Sequence, residues 1–450
     1  MEIKDLNNKI AEFQSTINID KRMYNEEIES SLAHVTMLGQ CGIISKPESE
    51  KICNELEKIQ KEFSYDNFTL NSKYSNIHNF IEAELVKRLG ELGKKVNLAK
   101  SEADQIALDL RLSLTKESNI VIDKIKTLIS IICNKALANT KSIMPNFIHM
   151  QATEPITFAH HIMAYSEMFL RDIGRINDAK NRMMEMPLGS CNGATTTYHI
   201  NRSVTTLLLG LDKMTNNSLD AVSDRDFCVE LSSALSLVAI HLSRFCEEIA
   251  LWSSDELNFV EISDDFANIS DNFSRKRNPQ IVELIRGRSC KVFGNLISSL
   301  TSLKSLPLSY SGDLNSSEEA VFDSIDIITS CLDIFTPMLD TLIVNSESMR
   351  LSAEKSFVNM YDCIDYLVKK GSNIQDASMI VANIVNYCKE NSTTLTELPI
   401  EKYKEASAKF DEDILEIISL DNCIDERNKY GGPAEYNMLE QIKRVQESLQ

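Results

Sequence analysis

A chain of 450 residues can bury a large core and would ordinarily divide into two or three domains. Its 47 basic and 66 acidic side chains leave a formal charge of −19, which disfavours a general role on nucleic acid or anionic membrane, while still permitting a small basic pocket for an anionic metabolite. Eleven cysteines with no Cys-x-x-Cys or Cys/His cluster argue against a disulfide framework and against structural zinc. The opening Met1-Glu2-Ile3-Lys4-Asp5 has no apolar signal core, and no run reaches the roughly 18 apolar residues of a membrane span, so a cytoplasmic protein is expected. Nine prolines and fourteen glycines, with no proline between Pro187 and Pro279, are too few turns for an all-β or Rossmann-type chain. Neither Gly-x-Gly-x-x-Gly nor a P-loop is present, and the expected fold is all-α.

In chain order, residues 1–100 read as short helices. Ile44 to Glu48 is an N-cap region for a helix to about Phe63, with Ile52, Leu56 and Ile59 at helical spacing. After a polar loop (Asn67 to Ser75), Ile77 to Leu89 is helical and carries His78 in its first turn. Ile106 to Asn139 continues as one helix. Pro155 is expected to start another, with Ile162, Tyr165, Phe169, Ile173 and Ile176 along one face. Ser223 is the expected N-cap of a helix to about Trp252, with Asp226 in its first turn. Its apolar positions (Phe227, Leu231, Ala234, Leu235, Val238, Leu242, Phe245, Ile249) describe a central bundle helix, and so wide a stripe hints at oligomerisation.

Asn268 to Arg277 is polar and has no periodicity, and Pro279 then suits the first position of a helix to about Leu303. Ser270, Lys276 and Asn278 thus lie in a loop feeding a helix N-terminus, a place suited to holding a carboxylate. A further helix, containing Pro337, is expected to reach about Glu354. Gly431-Gly432-Pro433-Ala434 precedes a last helix with Leu439, Ile442, Val445 and Leu449. Three domains are expected: 1–100, a long-helix bundle over 101–354 with the loop at 268–279, and a small helical domain over 355–450.

The loop Ser270-x5-Lys276-x-Asn278-Pro279 resembles the signature of the fumarase/aspartase superfamily, Gly-Ser-Ser-x-Met-Pro-x-Lys-x-Asn-Pro, with Ile269, Asp271 and Phe273-Ser274 departing from it. Glu283-Leu284-Ile285-Arg286-Gly287 and Asn217 to Phe227 are similar to the argininosuccinate lyase branch. Ser75 to Leu85 matches that branch at His78 and Glu82. Asn97 to Gln105 matches at Ser101, Asp104 and Gln105, with Lys100 a conservative change, but has Glu102 for an Arg and Ala103 for an Asn. A carboxylate there would repel a bound dicarboxylate unless Glu102 points away or finds a partner. Met144 to Gln151 matches at His149 and Gln151, with Ile148 in place of a Thr. Tyr310, Asp313 and Glu319 match a further stretch in which Asn315 replaces a Gln and Glu318 a Lys. The resemblance runs over essentially the whole chain.

It implies a central twenty-helix bundle in a homotetramer whose active sites are each built from three subunits, with Ser101, His149 and Ser270 on different chains. It implies β-elimination of fumarate from an N-substituted aspartate, argininosuccinate first, with no cofactor and no metal. Ser270 would take the proton, while Lys276 and Asn278 stabilise the carboxylate as it gains charge. His149, held by Glu283, would serve the leaving nitrogen. Ser101, His78, Gln151, Tyr310 and Asn315 would bind substrate. The partner is thus a small anionic, succinyl-type molecule rather than nucleic acid or membrane. His160, His161, His199 and His241 are read as structural. The alternatives are the same chemistry on another succinyl-amine, favoured by Glu102, Ala103, Ile148, Asn315 and Glu318, or an inactive structural homologue, favoured by Ile269.

Overall fold

The computed structural model describes residues 3–64, 74–269 and 277–449. The fold is all-α. Its longest elements are the helices Glu102–Leu137, Phe158–Met183, Asp226–Trp252, Gln280–Leu303 and Asn315–Thr341. The first has 36 residues, about 54 Å at the α-helical rise. Among the described residues strands are short: a hairpin of Ile143–Ile148 with Gln151–Thr157, and three two-residue pairings. Asp226–Trp252 is long and apolar enough to cross a membrane by length and composition, but 61 % of its most apolar window is buried inside the protein, as in a core helix.

The chain forms two compact units. The first is Met1–Ile122 with Gly174–Leu237 and Cys290–Ile328; the second is Asp123–Ile173 with Val238–Ser289 and Thr329–Gln450. In the first unit, Ile28, Val35, Leu38, Ile52, Leu56 and Leu85 build an apolar core between the short helices. Glu48 caps the start of helix Lys46–Ser64: the Ser45 amide and hydroxyl both donate to its Oε2 at 2.9 Å. In the second unit, Tyr165 stacks on Phe245 with centroids 4.0 Å apart, and Phe335 meets Phe245 edge-on at 5.2 Å. A separate cluster around Leu367, Val381, Tyr403 and Phe410 organises the short helices near the C-terminus.

Three boundaries differ from the sequence reading. Pro155 does not open a helix. It lies in a strand opposite Pro145, and the helix starts at Phe158, where Thr157 Oγ1 accepts the His160 amide at 3.1 Å. Ser223 is not the cap of helix Asp226–Trp252 but the end of a short helix, Ser218–Ser223, capped by Asn217. Asp224 Oδ1 accepts the Asp226 amide at 2.8 Å instead. The helix containing Pro337 stops at Thr341, not Glu354, because Ile343–Val344 pairs with Val260–Glu261 before a new helix, Ser346–Lys355, begins.

Candidate active site

The expected site residues fall into two groups, one in each compact unit. His78, Ser101, Tyr310 and Asn315 belong to the first, and His149, Gln151, Asn278 and Glu283 to the second. Ser270 and Lys276, with the rest of the segment 270–276, lie outside the described residues.

In the first group, Ser101 immediately precedes helix Glu102–Leu137. Its amide donates to Asp104 Oδ1 at 2.8 Å and its hydroxyl to the same oxygen at 3.3 Å. The other Asp104 oxygen accepts the amides of Gly189 and Cys191 at 2.8 and 2.7 Å, so one buried carboxylate fixes both Ser101 and the turn after Pro187. Gly189 has φ +93, a conformation strained for any residue with a Cβ, and a Cβ there would also meet Ile200 Cδ1 at 2.7 Å and push that side chain aside. Glu102 accepts from Asn76 Nδ2 at 2.5 Å, so this intruding carboxylate has a partner.

His78 is buried with Nδ1 3.0 Å from Glu27 Oε1. Glu27 belongs to an interior polar network in which Lys100 Nζ donates to Ser31 and Gln105, and Gln105 Nε2 donates to Asp109. Burial, with Lys100 adding to it, pushes the His78 pKa down to about 4, so the imidazole is neutral at pH 7. Tyr310 Oη is 3.5 Å from Asn315 Oδ1. Burial first, then the carboxylates of Glu318 and Glu102, raise the Tyr310 pKa, which keeps its proton in place as a donor. Glu318, three residues beyond Asn315, accepts from Arg225 Nε at 3.1 Å, with both side chains buried. Asp20 lies in the same neighbourhood, and its carboxyl group adds to the negative surroundings of Tyr310. Neither Asp20 nor Arg225 carries a local sequence signal that distinguishes it from an ordinary helix-end charge.

In the second group, His149 and Met150 form the two-residue turn of the hairpin, at φ 54 and 60. Positive φ at both positions is the type I′ turn that matches strand twist, and it is costly for residues with a Cβ. Ile148 and Gln151 pair across it. His149, Met150 and Gln151 are exposed, Met150 by 70 %. Asn278 pairs with Asn268, and Ile269 with Arg277, in a two-residue stem. Ile269 therefore takes a strand backbone, a conformation that suits a β-branched residue. Glu283 is exposed in the first turn of helix Gln280–Leu303, a favourable place for a carboxylate. Among the described residues, His149 and Glu283 share no hydrogen bond or ion pair, and no group of three or more His, Cys, Asp or Glu side chains is arranged to hold a metal ion.

Of the histidines read as structural, His161 pairs with Glu248 at 2.6 Å and His241 with Asp172 at 2.6 Å. His160 Nδ1 is buried without a partner.

Residues 2–294 match the family model described as Lyase, and residues 357–425 the one described as Argininosuccinate lyase C-terminal. The chain is 45 % identical over 440 residues to the argininosuccinate lyase of Clostridium botulinum strain Alaska E43, covering 98 % of this chain and 95 % of that one. It is 42 % identical over 444 residues to that of Acetivibrio thermocellus, covering 98 % and 96 %. Among solved structures it resembles EDDS lyase in complex with formate, with a TM-score of 0.84 at 25 % identity, covering 96 % of this chain and 87 % of that one. A fumarate lyase:delta crystallin from Brucella melitensis, with a TM-score of 0.75 at 19 % identity over 90 % and 91 % of the two chains, shares the fold. The loop motif, the all-α architecture and this similarity along nearly the full length agree: the chain belongs to the argininosuccinate lyase family within the fumarase/aspartase superfamily and is a carbon–nitrogen lyase.

Proposed function

We propose that the protein cleaves argininosuccinate to arginine and fumarate by β-elimination. The observation that carries this is the 45 % identity to argininosuccinate lyases across 98 % of the chain. Ser270 abstracts the proton next to a substrate carboxylate. Lys276, Asn278 and the first amides of helix Gln280–Leu303 stabilise the charge that builds on that carboxylate. His149, with Glu283, serves the leaving nitrogen. Ser101, His78, Gln151, Tyr310 and Asn315 bind substrate; the anchoring of Ser101 by Asp104 and the Tyr310–Asn315 approach support this role.

Each site is built from three protomers of a homotetramer, with Ser101, His149 and Ser270 on different chains, and the partner of the protein is a small anionic, succinyl-type molecule. The division at about residues 100 and 354 is kept as a domain proposal, supported by the separate apolar clusters of residues 17–99 and 363–418. A cytoplasmic location is supported by eleven cysteines that are all free.

A second reading keeps the elimination but changes the leaving amine. It is favoured by Glu318, which puts a carboxylate near Tyr310 where the family pattern that this stretch resembles has a Lys.

The test follows fumarate by ultraviolet absorbance with argininosuccinate and a panel of N-substituted aspartates. Argininosuccinate is expected to turn over, and Ser270→Ala and His149→Asn are each expected to lower kcat by about 10²–10⁴-fold. Turnover of another panel member alone selects the second reading. Full activity in Ser270→Ala removes Ser270 as the base.

A further inference from the structure

Asn278 is carried by the two-residue strand Arg277–Asn278, whose partner is Asn268–Ile269. A pairing this short holds little by itself. Arg277 ties it to the body of its unit. The guanidinium Nε donates to Asp264 Oδ1 at 2.6 Å, and Nη1 makes an ion pair with Glu261. Glu261 is firmly based: its strand, Val260–Glu261, pairs with Ile343–Val344, and neighbouring Phe259, Val260 and Ile262 are all buried. Asn345 adds to this anchorage, its amide donating to Phe259 O at 2.8 Å. Asp264 sits in a turn in which the amides of Phe266 and Ala267 both donate to Ser263 O at 3.0 Å. Arg277, Glu261 and Asp264 line a cavity of about 620 Å³ together with Asn278 and Pro279.

We propose that Arg277 is a positioning residue. Its fork, held by Glu261 and Asp264, sets the register of the stem and so aims Asn278 and the start of helix Gln280–Leu303 at the substrate carboxylate. The inference rests on the substrate-binding role given above to Asn278. A guanidinium suits the task because two of its nitrogens reach two carboxylates, one on the strand Val260–Glu261 and one in the turn just after it, while its plane stays fixed. The ammonium of a lysine, a single point charge, cannot fix orientation that way. The ion-paired side chains are 37 to 61 % exposed, so salt screens the clamp.

The test compares wild type with R277Q, R277K and the double variant E261Q/D264N, with N278A as reference. Fumarate release is measured at about 50 mM and about 500 mM salt. Amide hydrogen exchange is followed in the stem, and thermal unfolding checks the fold. R277Q is expected to lower kcat about ten- to a hundredfold with KM nearly unchanged, because a small misplacement of a positioned donor weakens the transition state. R277K is expected to fall between, and the double variant to match R277Q. Wild-type kcat is expected to drop at high salt while that of R277Q does not, and the stem amides are expected to exchange faster in R277Q. Wild-type kcat and wild-type stem exchange in R277Q would overturn the clamp while leaving Asn278 in the site. Full activity in N278A would overturn both. Stem exchange is read with or without turnover, so unchanged exchange overturns the clamp even if the proposed activity fails.

Discussion

Asp20 is a buried carboxylic acid whose hydrogen-bond donor is the Thr16 hydroxyl. Burial, then the nearby carboxylates of Glu318, Glu102 and Asp109, push its pKa from the ordinary 3.8 up to about 7. The folded protein therefore holds this proton more tightly than the unfolded chain does. The group begins to cost stability as pH rises through about 4, and the full cost is reached above about 7. Asp20→Asn is expected to unfold at the wild-type temperature near the acid end of that window and at a higher one at pH 8, a gain on the order of a few kcal/mol. Equal midpoints at pH 8 would show that Asp20 ionises there without penalty.

Glu318 has the opposite consequence. Arg225 is 1 % exposed, and its Nη2 already lacks a partner. Glu318→Ala is expected to destabilise the protein by about 3–5 kcal/mol, because the buried guanidinium would lose its counter-charge. An unchanged unfolding midpoint would mean that Arg225 finds another acceptor. Glu318 was visible in the sequence as a departure from the family pattern. Arg225, 93 residues away, was not visible as its partner, because pairing at that separation depends on how helices pack.

Among the elements, the hairpin carries the clearest strain. His149 and Met150 both sit in the left-handed region, where a residue with a Cβ costs about 1–2 kcal/mol relative to the right-handed one. At Met150 nothing in the chemistry needs the side chain, so Met150→Gly is expected to raise the unfolding midpoint by the equivalent of about 1 kcal/mol. No rise would show that the turn is relaxed in solution. At His149 the same conformation holds the imidazole at the hairpin tip, where strain and proposed function coincide. This element was hidden in the sequence because Pro155 reads as a helix start, whereas the fold sets it opposite Pro145 beside a register shift. The end of the Pro337 helix was hidden for a related reason. Helical periodicity continues past Thr341, but the edge formed by Val260–Glu261 draws Ile343–Val344 into a strand.

For the whole molecule, separation of the candidate residues into two compact units is the feature with the largest consequence. If each site draws on several protomers, a Ser101→Ala variant and a His149→Asn variant are each inactive, and mixing them through reversible dissociation is expected to restore part of the activity. Some mixed sites then receive an intact residue from each parent. No recovery, with mixed oligomers demonstrated, would confine each site to one chain.

The helical class, the long apolar stripe of Asp226–Trp252 and the family were all legible from the residues alone. Each depends on local spacing or on a short ordered motif, and such signals survive without knowledge of the fold. Tertiary structure alone decided the partners: Asn76 for Glu102, Glu27 for His78, Arg225 for Glu318, and Glu261 with Asp264 for Arg277. A charge in sequence carries no mark of its counter-charge, because the cost of burying it is set by side chains that only packing brings within reach.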